Sequence, residues 1–249
     1  MVLYLGLARR RFFVDRIDGD SVELPGEEAR HLARVLRAAE GQLYEISDNQ
    51  SAYLARIEEV TGGRVRFRIV EPIESVPAPA RVTLCASLVK FDRFEWIVEK
   101  ATELGVERIR PVAAARSDKG LFEASAKRRE RWTRIAREAG EQSRRTSLPE
   151  IPHAVRFDAV LETPADYRYF LEEGEAPPFL DLLPARRAAT DFVALLTGPE
   201  GGWSGEERSL AMAAGWQAVS LGPGVLRAET AATAGLAITM AAWSARRQC

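Results

Sequence analysis

Two consecutive stretches near the C-terminal end constrain this chain more than any other feature. The apolar run "DFVALLT" gives way at Gly198 to a loop with three glycines, "GPEGGW", and the S-x-x-E spacing of Ser204 and Glu207 then opens a helix. The same order of events follows at once. "WQAVSL" reads as a strand, Gly222, Pro223 and Gly224 as a loop, and "VLRAETAATAGLAITMAAWSARR" as a long helix. In successive β-loop-α units both loops leave the carboxyl ends of parallel strands, where they can face one another across one crevice.

The preceding text keeps this rhythm back to about residue 75. "VTLCASLVK" is a continuous apolar strand, and Asp92 with Glu95 reads as a D-x-x-E capping box for a helix ending near Gly105. "VERIRPVAA" is a strand, residues 123–139 a basic helix, and "YRYFLEE" another strand. Alternation of this kind predicts an α/β fold, a parallel sheet covered on both faces. The N-terminal text is different. "RFFVD", "SVELP", "QLYEIS", "AYLARIEEV" and "RVRFRIVEP" are short β-branched or aromatic runs, separated by turn signals at Asp18-Gly19-Asp20 and Gly62-Gly63. One helix, "PGEEARHLARVLR", interrupts them and puts Leu32, Val35 and Leu36 at helical spacing. Five strands and a helix predict a small barrel. The proline-rich "PIESVPAPAR" between the two regions reads as a linker, so the expected domains are 1–74 and 75–249.

The ligand of the glycine loops can be narrowed. A phosphate loop of the G-x-x-x-x-G-K-[ST] type needs its lysine, and neither loop has one. The G-x-G-x-x-G spacing is also missing, and Glu200 would repel a triphosphate. Glycines still allow close backbone approach, so the loops suit a nucleoside-like molecule without phosphates, such as S-adenosylmethionine (SAM). The alternative is a pair of tight turns that hold nothing. With two cysteines and two histidines far apart, the chain offers no metal centre. Net charge is −1, which on its own points to no polyanionic partner. The positive charge is nearly all arginine, however, since the lysines are Lys90, Lys100, Lys119 and Lys127 alone; guanidinium suits phosphates and bases, and a biased genome gives the same skew. "MVLYLGLARRR" has its charge after the apolar residues, the reverse of a secretory signal, and the uncharged stretch 230–245 is too short to span a bilayer comfortably. A cytoplasmic protein with no membrane partner is expected.

"TGPEGGWSGEE" followed by "SLGPGVLRAETAATAGLAI" closely resembles the RsmE family of ribosomal RNA methyltransferases in the SPOUT superfamily. The likeness extends to "KFDRFEWIVEKATELGVERIRP", "EQSRRTSLPEI", "RFFV" and "HLARVLR", so it spans most of the chain. It implies a PUA-like β-barrel joined to a SPOUT domain whose C-terminal segment threads a trefoil knot. It also implies a homodimer with its site at the subunit interface. The reaction implied is SAM-dependent methylation of uridine N3 in 16S ribosomal RNA, with the small ribosomal subunit or its RNA as partner. Methylation of another RNA such as tRNA, or RNA binding without catalysis, are the competing readings. The resemblance would have Leu196, Thr197, Gly198, Gly201 and Gly202 line the cofactor pocket, with Leu221, Gly222 and Leu226 opposite. Two departures from the family pattern fall on RNA-contact details: Gly224 stands where relatives often have a basic residue, and Arg144 and Ser147 where Gly and Arg are common.

Arg227 follows the second loop, one turn into the expected helix. Uracil N3 must lose a proton before it attacks a methyl group, and a guanidinium aimed at the uracil oxygens would stabilise the developing anion. The competing reading is an ion pair with Glu229 or Glu200. Arg11, His31 and Arg37 lie in barrel motifs that the resemblance connects with RNA, and Lys90 and Arg145 lie in the other matched motifs. His31 and Arg37 are six apart on the expected helix and so lie on different parts of its surface. Arg128, Arg131 and Arg134 form a stripe that suits either a solvated face or phosphate.

Overall fold

A computed structural model of the chain describes residues 11–17 and 19–245. Asp18 of the first turn signal, the N-terminal segment before Arg11, and Arg246, Arg247 and Cys249 lie outside the described residues. The chain divides into two compact units: residues 1–76 with 137–148, and residues 77–136 with 149–249.

The first unit holds the five expected strands, β1 (Arg11–Phe13), β2 (Ser21–Pro25), β3 (Leu43–Ser47), β4 (Ala52–Thr61) and β5 (Arg64–Ile73). They form a single curled half-barrel sheet in the order β1-β3-β4-β5-β2, antiparallel except for the β1–β3 pair. Alternation along β5 buries Val65 and Phe67 and exposes Arg64, Arg66 and Arg68, the period-2 pattern of a half-buried strand. Helix α1 (Gly26–Arg34) buries Ala29 and Leu32 against a core that includes Phe12, Ile46, Ile57 and Phe67. It is shorter than its apolar spacing predicts. Val35 caps the helix and is 64% exposed, so it does not share the buried face with Leu32. Arg37 takes a left-handed φ of 51° and turns the chain until Ala38 N–H reaches the Leu32 carbonyl, ending the helix.

The second unit is a six-stranded parallel sheet ordered β11-β9-β10-β6-β7-β8. Its strands are β6 (Arg81–Ser87), β7 (Arg108–Ala113), β8 (Val155–Arg156), β9 (Tyr167–Leu171), β10 (Phe192–Thr197) and β11 (Gln217–Val219). Helices α2 (Phe91–Glu103), α3 (Leu121–Gln142, whose residues from Arg137 on belong to the first unit), α4 (Phe157–Leu161), α5 (Gly205–Ala213) and α6 (Ala228–Ser244) complete the alternation. Val82, Leu84, Val193 and Leu195 join one buried cluster, while Cys85, Ala194 and Leu196 join another. Both faces of the sheet are therefore covered, as the unbroken apolar strands require. Burial pushes the Cys85 thiol up to about 12, so it stays protonated and acts as an apolar group.

One local expectation needs correction, and one element was unforeseen. The capping box at Asp92 and Glu95 is absent: Lys90 occupies the cap of α2, without a side-chain cap bond, and its carbonyl takes the N–H groups of Arg93 and Phe94. Asp92 lies inside the first turn, where a carboxylate still complements the helix dipole. The short β8–α4 unit carried no periodic signal and was not expected. No helix among the described residues is long and apolar enough to cross a membrane.

Candidate functional site

Strands β9, β10 and β11 are neighbours in space, with β9 in the middle, and their carboxyl-end loops wall a cavity of about 310 Å³. That volume is at the small end of the ~300–1,000 Å³ typical of small-molecule sites. Gly198, Glu200, Gly202 and Trp203 come from the loop after β10; Leu221, Gly222 and Leu226 come from the loop after β11. Glu172 and Glu173 follow β9, Arg93 reaches in from the first turn of α2, and Arg227 stands at the start of α6.

The first glycine loop is held on every side. Trp203 is buried, its indole N–H donates to the Leu171 carbonyl at 2.8 Å, and its ring packs at 5.5 Å from Phe157. The capping box at the start of α5 is complete: Glu207 N–H donates to Ser204 Oγ at 3.1 Å, and Ser204 N–H donates to Glu207 Oε2 at 2.9 Å. The other oxygen of Glu207 accepts the Ala115 N–H at 2.7 Å, which ties the loop to the segment after β7. Gly202 has a φ of 65°, and a Cβ there would fall on the Glu173 carboxylate, so this position requires glycine twice over.

Among the described residues, the charges around the cavity are sorted into pairs except for Glu173 and Arg227. Glu172 takes two hydrogen bonds from Arg208, at 2.6 and 3.0 Å, and these hold its carboxyl below the usual range. Arg93 donates to Glu200 at 3.0 Å, and its Nε lies 4.0 Å from Glu229. The two acids that competed for Arg227 thus face Arg93 instead. Arg227 is the N-cap residue of α6 rather than a residue one turn inside it. It is exposed and makes no ion pair among the described residues.

The cavity brings together Gly198, Gly202, Leu221, Gly222, Leu226 and Arg227 of the expected site. Leu196, Thr197 and Gly201 are not among its lining residues. Leu196 and Thr197 are buried at the end of β10, with Thr197 Oγ1 lacking a hydrogen-bond partner among the described residues. Gly201 is turned away, its carbonyl accepting from Arg116 at 2.9 Å. Arg93, Glu172, Glu173 and Trp203 were missed. The loop sequence "FLEE" carried the only available signal for the acids, since β9 becomes a wall only once the strand order is known.

The expected RNA-contact residues are dispersed. Arg11 is buried; it donates to Glu45 at 3.0 and 3.2 Å and to Thr146 at 3.1 Å, so its guanidinium is committed inside the first unit. His31 and Arg37 are exposed, with Arg37 beyond the end of α1. Lys90 is exposed at the cap of α2, and Arg145 is half-buried. In the stripe on α3, Arg131 forks onto Glu95 at 2.7 and 2.8 Å, and Arg128 lies over the Phe91 ring.

The donor set suits a nucleoside with a cationic tail. Apolar leucines 221 and 226 and bare loop backbone can take a base, the carboxylates 173 and 200 can take hydroxyls or a cation, and no lysine is present for phosphate. Known proteins share the sequence and the fold. Residues 76–240 match the family described as an RNA methyltransferase domain, and residues 24–70 match the RNA methyltransferase PUA domain. The ribosomal RNA small subunit methyltransferase E of Bacillus subtilis is 32% identical over 238 residues, 89% of this chain and 92% of that protein. A Neisseria gonorrhoeae protein of the same name, solved bound to S-adenosylmethionine, superposes with a TM-score of 0.85 at 29% identity, covering 94% of this chain and 98% of that one. A Legionella pneumophila methyltransferase solved with SAM gives 0.84 at 31% identity, covering 96% and 98%. By fold and site the chain is thus an RNA methyltransferase with a PUA domain, and it belongs to the ribosomal RNA small subunit methyltransferase E (RsmE) family.

Proposed function

We propose that this chain is a SAM-dependent methyltransferase that methylates N3 of a uridine in 16S ribosomal RNA. The observation that carries the reading is the cavity itself, walled by glycine loops without phosphate-binding lysines and edged by one unpaired arginine. SAM supplies an electrophilic methyl group on its sulfonium. The chain's own part is to bind, align and stabilise. Gly198, Gly202, Leu221, Gly222 and Leu226 offer bare backbone and apolar contact, with Leu196, Thr197 and Gly201 shaping the loop from behind. Arg93 braces the first loop through Glu200. The Arg227 guanidinium, free of a competing carboxylate among the described residues, donates to the uracil oxygens and stabilises the charge that appears when N3 gives up its proton to solvent water. Alignment of N3 with the methyl group supplies the remaining acceleration.

In this reading residues 1–74 bind RNA and residues 75–249 carry the reaction. The C-terminal trefoil knot, a homodimer with the site at its interface and a cytoplasmic location belong to the same proposal. His31, Arg37, Lys90 and Arg145 are its RNA contacts, and Arg11 serves them only by holding β1 to β3. The test is incubation of the purified chain with SAM and 16S rRNA, followed by nuclease digestion and mass spectrometry. The expected product is 3-methyluridine at one site. Methylation of tRNA in place of 16S rRNA would move the substrate to another RNA. Binding of RNA with no calorimetric signal for SAM would leave a non-catalytic binding protein.

A further inference from the structure

The first unit carries its exposed positive charge in two ways. On β5 each arginine is matched to an acid: Arg64 to Glu23 at 3.4 Å, Arg66 to Glu59 at 2.8 Å, and Arg68 to Asp20 at 2.6 Å and Glu58 at 2.5 Å. That face presents little net field. On α1 and its exit the opposite holds. Arg30, His31, Arg34 and Arg37 are all exposed, and none has an ion pair or a side-chain hydrogen bond among the described residues. The acids close by leave them unmatched. Glu28 is turned to Arg137 at 3.0 Å, and neither Arg30 nor His31 pairs with Glu27, which lies three and four residues before them.

Helical geometry gathers these cations. At about 100° per residue, Arg30, His31 and Arg34 occupy one sector of α1, opposite the buried Ala29 and Leu32. Like charges at i and i+4, as at Arg30 and Arg34, oppose a helix, while His31 and Arg34 in its last turn complement its dipole. Arg37 follows just beyond the helix end, exposed and in a left-handed backbone that a residue with a Cβ seldom adopts.

We infer that the outer face of α1, made by Arg30, His31 and Arg34, with Arg37 at its exit, is where the first unit takes the backbone phosphates of its RNA. The inference rests on the RNA methyltransferase reading and adds which face carries the strand, with Arg30 and Arg34 joining His31 and Arg37. Guanidinium forks match phosphate oxygens, and the unmatched charge complements a polyanion where the matched charge of β5 does not. These contacts hold the RNA rather than the reacting base, so they act on RNA affinity and not on the chemical step.

The test compares two triple variants of the full-length chain, Arg30→Ala/Arg34→Ala/Arg37→Ala and Arg64→Ala/Arg66→Ala/Arg68→Ala, with the unmodified protein. The α1 variant is expected to raise KM for 16S rRNA by about tenfold or more, with kcat at saturating RNA and SAM affinity unchanged. The slope of log affinity against log salt should flatten by about two to three, one unit or slightly less per lost phosphate contact. The β5 variant should stay within about twofold of the unmodified protein on every measure. An unchanged RNA KM in the α1 variant, or an equal loss in the β5 variant, overturns the inference. Loss of binding to anionic vesicles with RNA binding intact overturns it too, since the face would then serve a membrane surface. If the unmodified chain transfers no methyl group to any RNA, the methyltransferase reading fails; direct RNA binding by fluorescence anisotropy still decides the role of α1.

Discussion

The two glycine loops of the second unit look alike in sequence and differ in their surroundings. Around the first, an added Cβ at Gly198 would meet the Trp203 ring at 3.2 Å, and one at Gly201 would meet Arg116 Cβ at 3.0 Å. Around the second, a Cβ at Gly222 or Gly224 meets nothing within 4 Å, and Val225 and Leu226 are 79% and 41% exposed. The first loop is therefore preformed by tertiary packing. The second is open, and its leucine and arginine stand ready for whatever covers them. A preformed loop can set affinity for the cofactor before substrate arrives, whereas an open one can act on the substrate.

The largest effect that would break this contrast is at Arg227. Arg227→Ala should lower single-turnover methylation by ~10²–10³-fold, the usual cost of one well-placed charge stabiliser, and leave SAM affinity nearly unchanged. Arg227→Lys should recover little, because an ammonium cannot make the planar two-point contact. Near-native rates in the alanine variant would return Arg227 to the surface. Next comes Gly202→Ala. A left-handed backbone and the Glu173 carboxylate both oppose the new methyl group, so SAM affinity by calorimetry should fall by about tenfold or more, from a backbone cost of about 1–3 kcal/mol. Equal affinity would show that the first loop is not preformed.

The Glu172–Arg208 pair, which braces the same wall, gives a smaller effect on stability. Arg208→Ala should cost about 2 kcal/mol in urea unfolding, because it strands a carboxylate that is 6% exposed. The pair also predicts a pH dependence. Its contribution is complete above the unfolded carboxylate value of about 4.3 and is lost as pH falls through the lower folded value. The stability difference between the unmodified chain and Arg208→Ala should therefore shrink in acid and stay constant from pH 5 to 7. The smallest effect belongs to the open loop. Gly224→Ala should change stability by no more than about 0.5 kcal/mol and leave SAM binding intact, since neither space nor a left-handed φ opposes it. A large loss there would mean that something unseen packs on this loop.

Much of this was legible in the sequence, for local reasons. The five strands of the first unit fell where β-branched alternation put them, because period-2 burial leaves a direct imprint on residue order. The Ser204–Glu207 capping box was legible because both of its hydrogen bonds span three residues. The similar spacing of Asp92 and Glu95 misled, because Lys90 took the cap instead and its carbonyl received the first N–H bonds of the helix. The α1 boundary misled as well: Val35 has the right spacing for burial, but the chain turns at Arg37 before the core reaches it.

Sequence by itself determined that strand, glycine loop and helix follow one another twice, that the loops lack cationic phosphate ligands, and that Arg227 stands just after the second loop. Those are properties of neighbouring residues. Tertiary structure alone decided the cavity wall, because β9 lies between β10 and β11 and so brings Glu172 and Glu173 to loops more than twenty residues away. It also decided which charges are spent. Glu200 and Glu229 face Arg93, more than a hundred residues earlier, and Arg11 faces Glu45 in the interior, while Arg227 and the arginines of α1 have no ion pair among the described residues. A charge's availability depends on what the fold places within a few ångströms of it, and strand order, which composition and spacing do not encode, sets those distances.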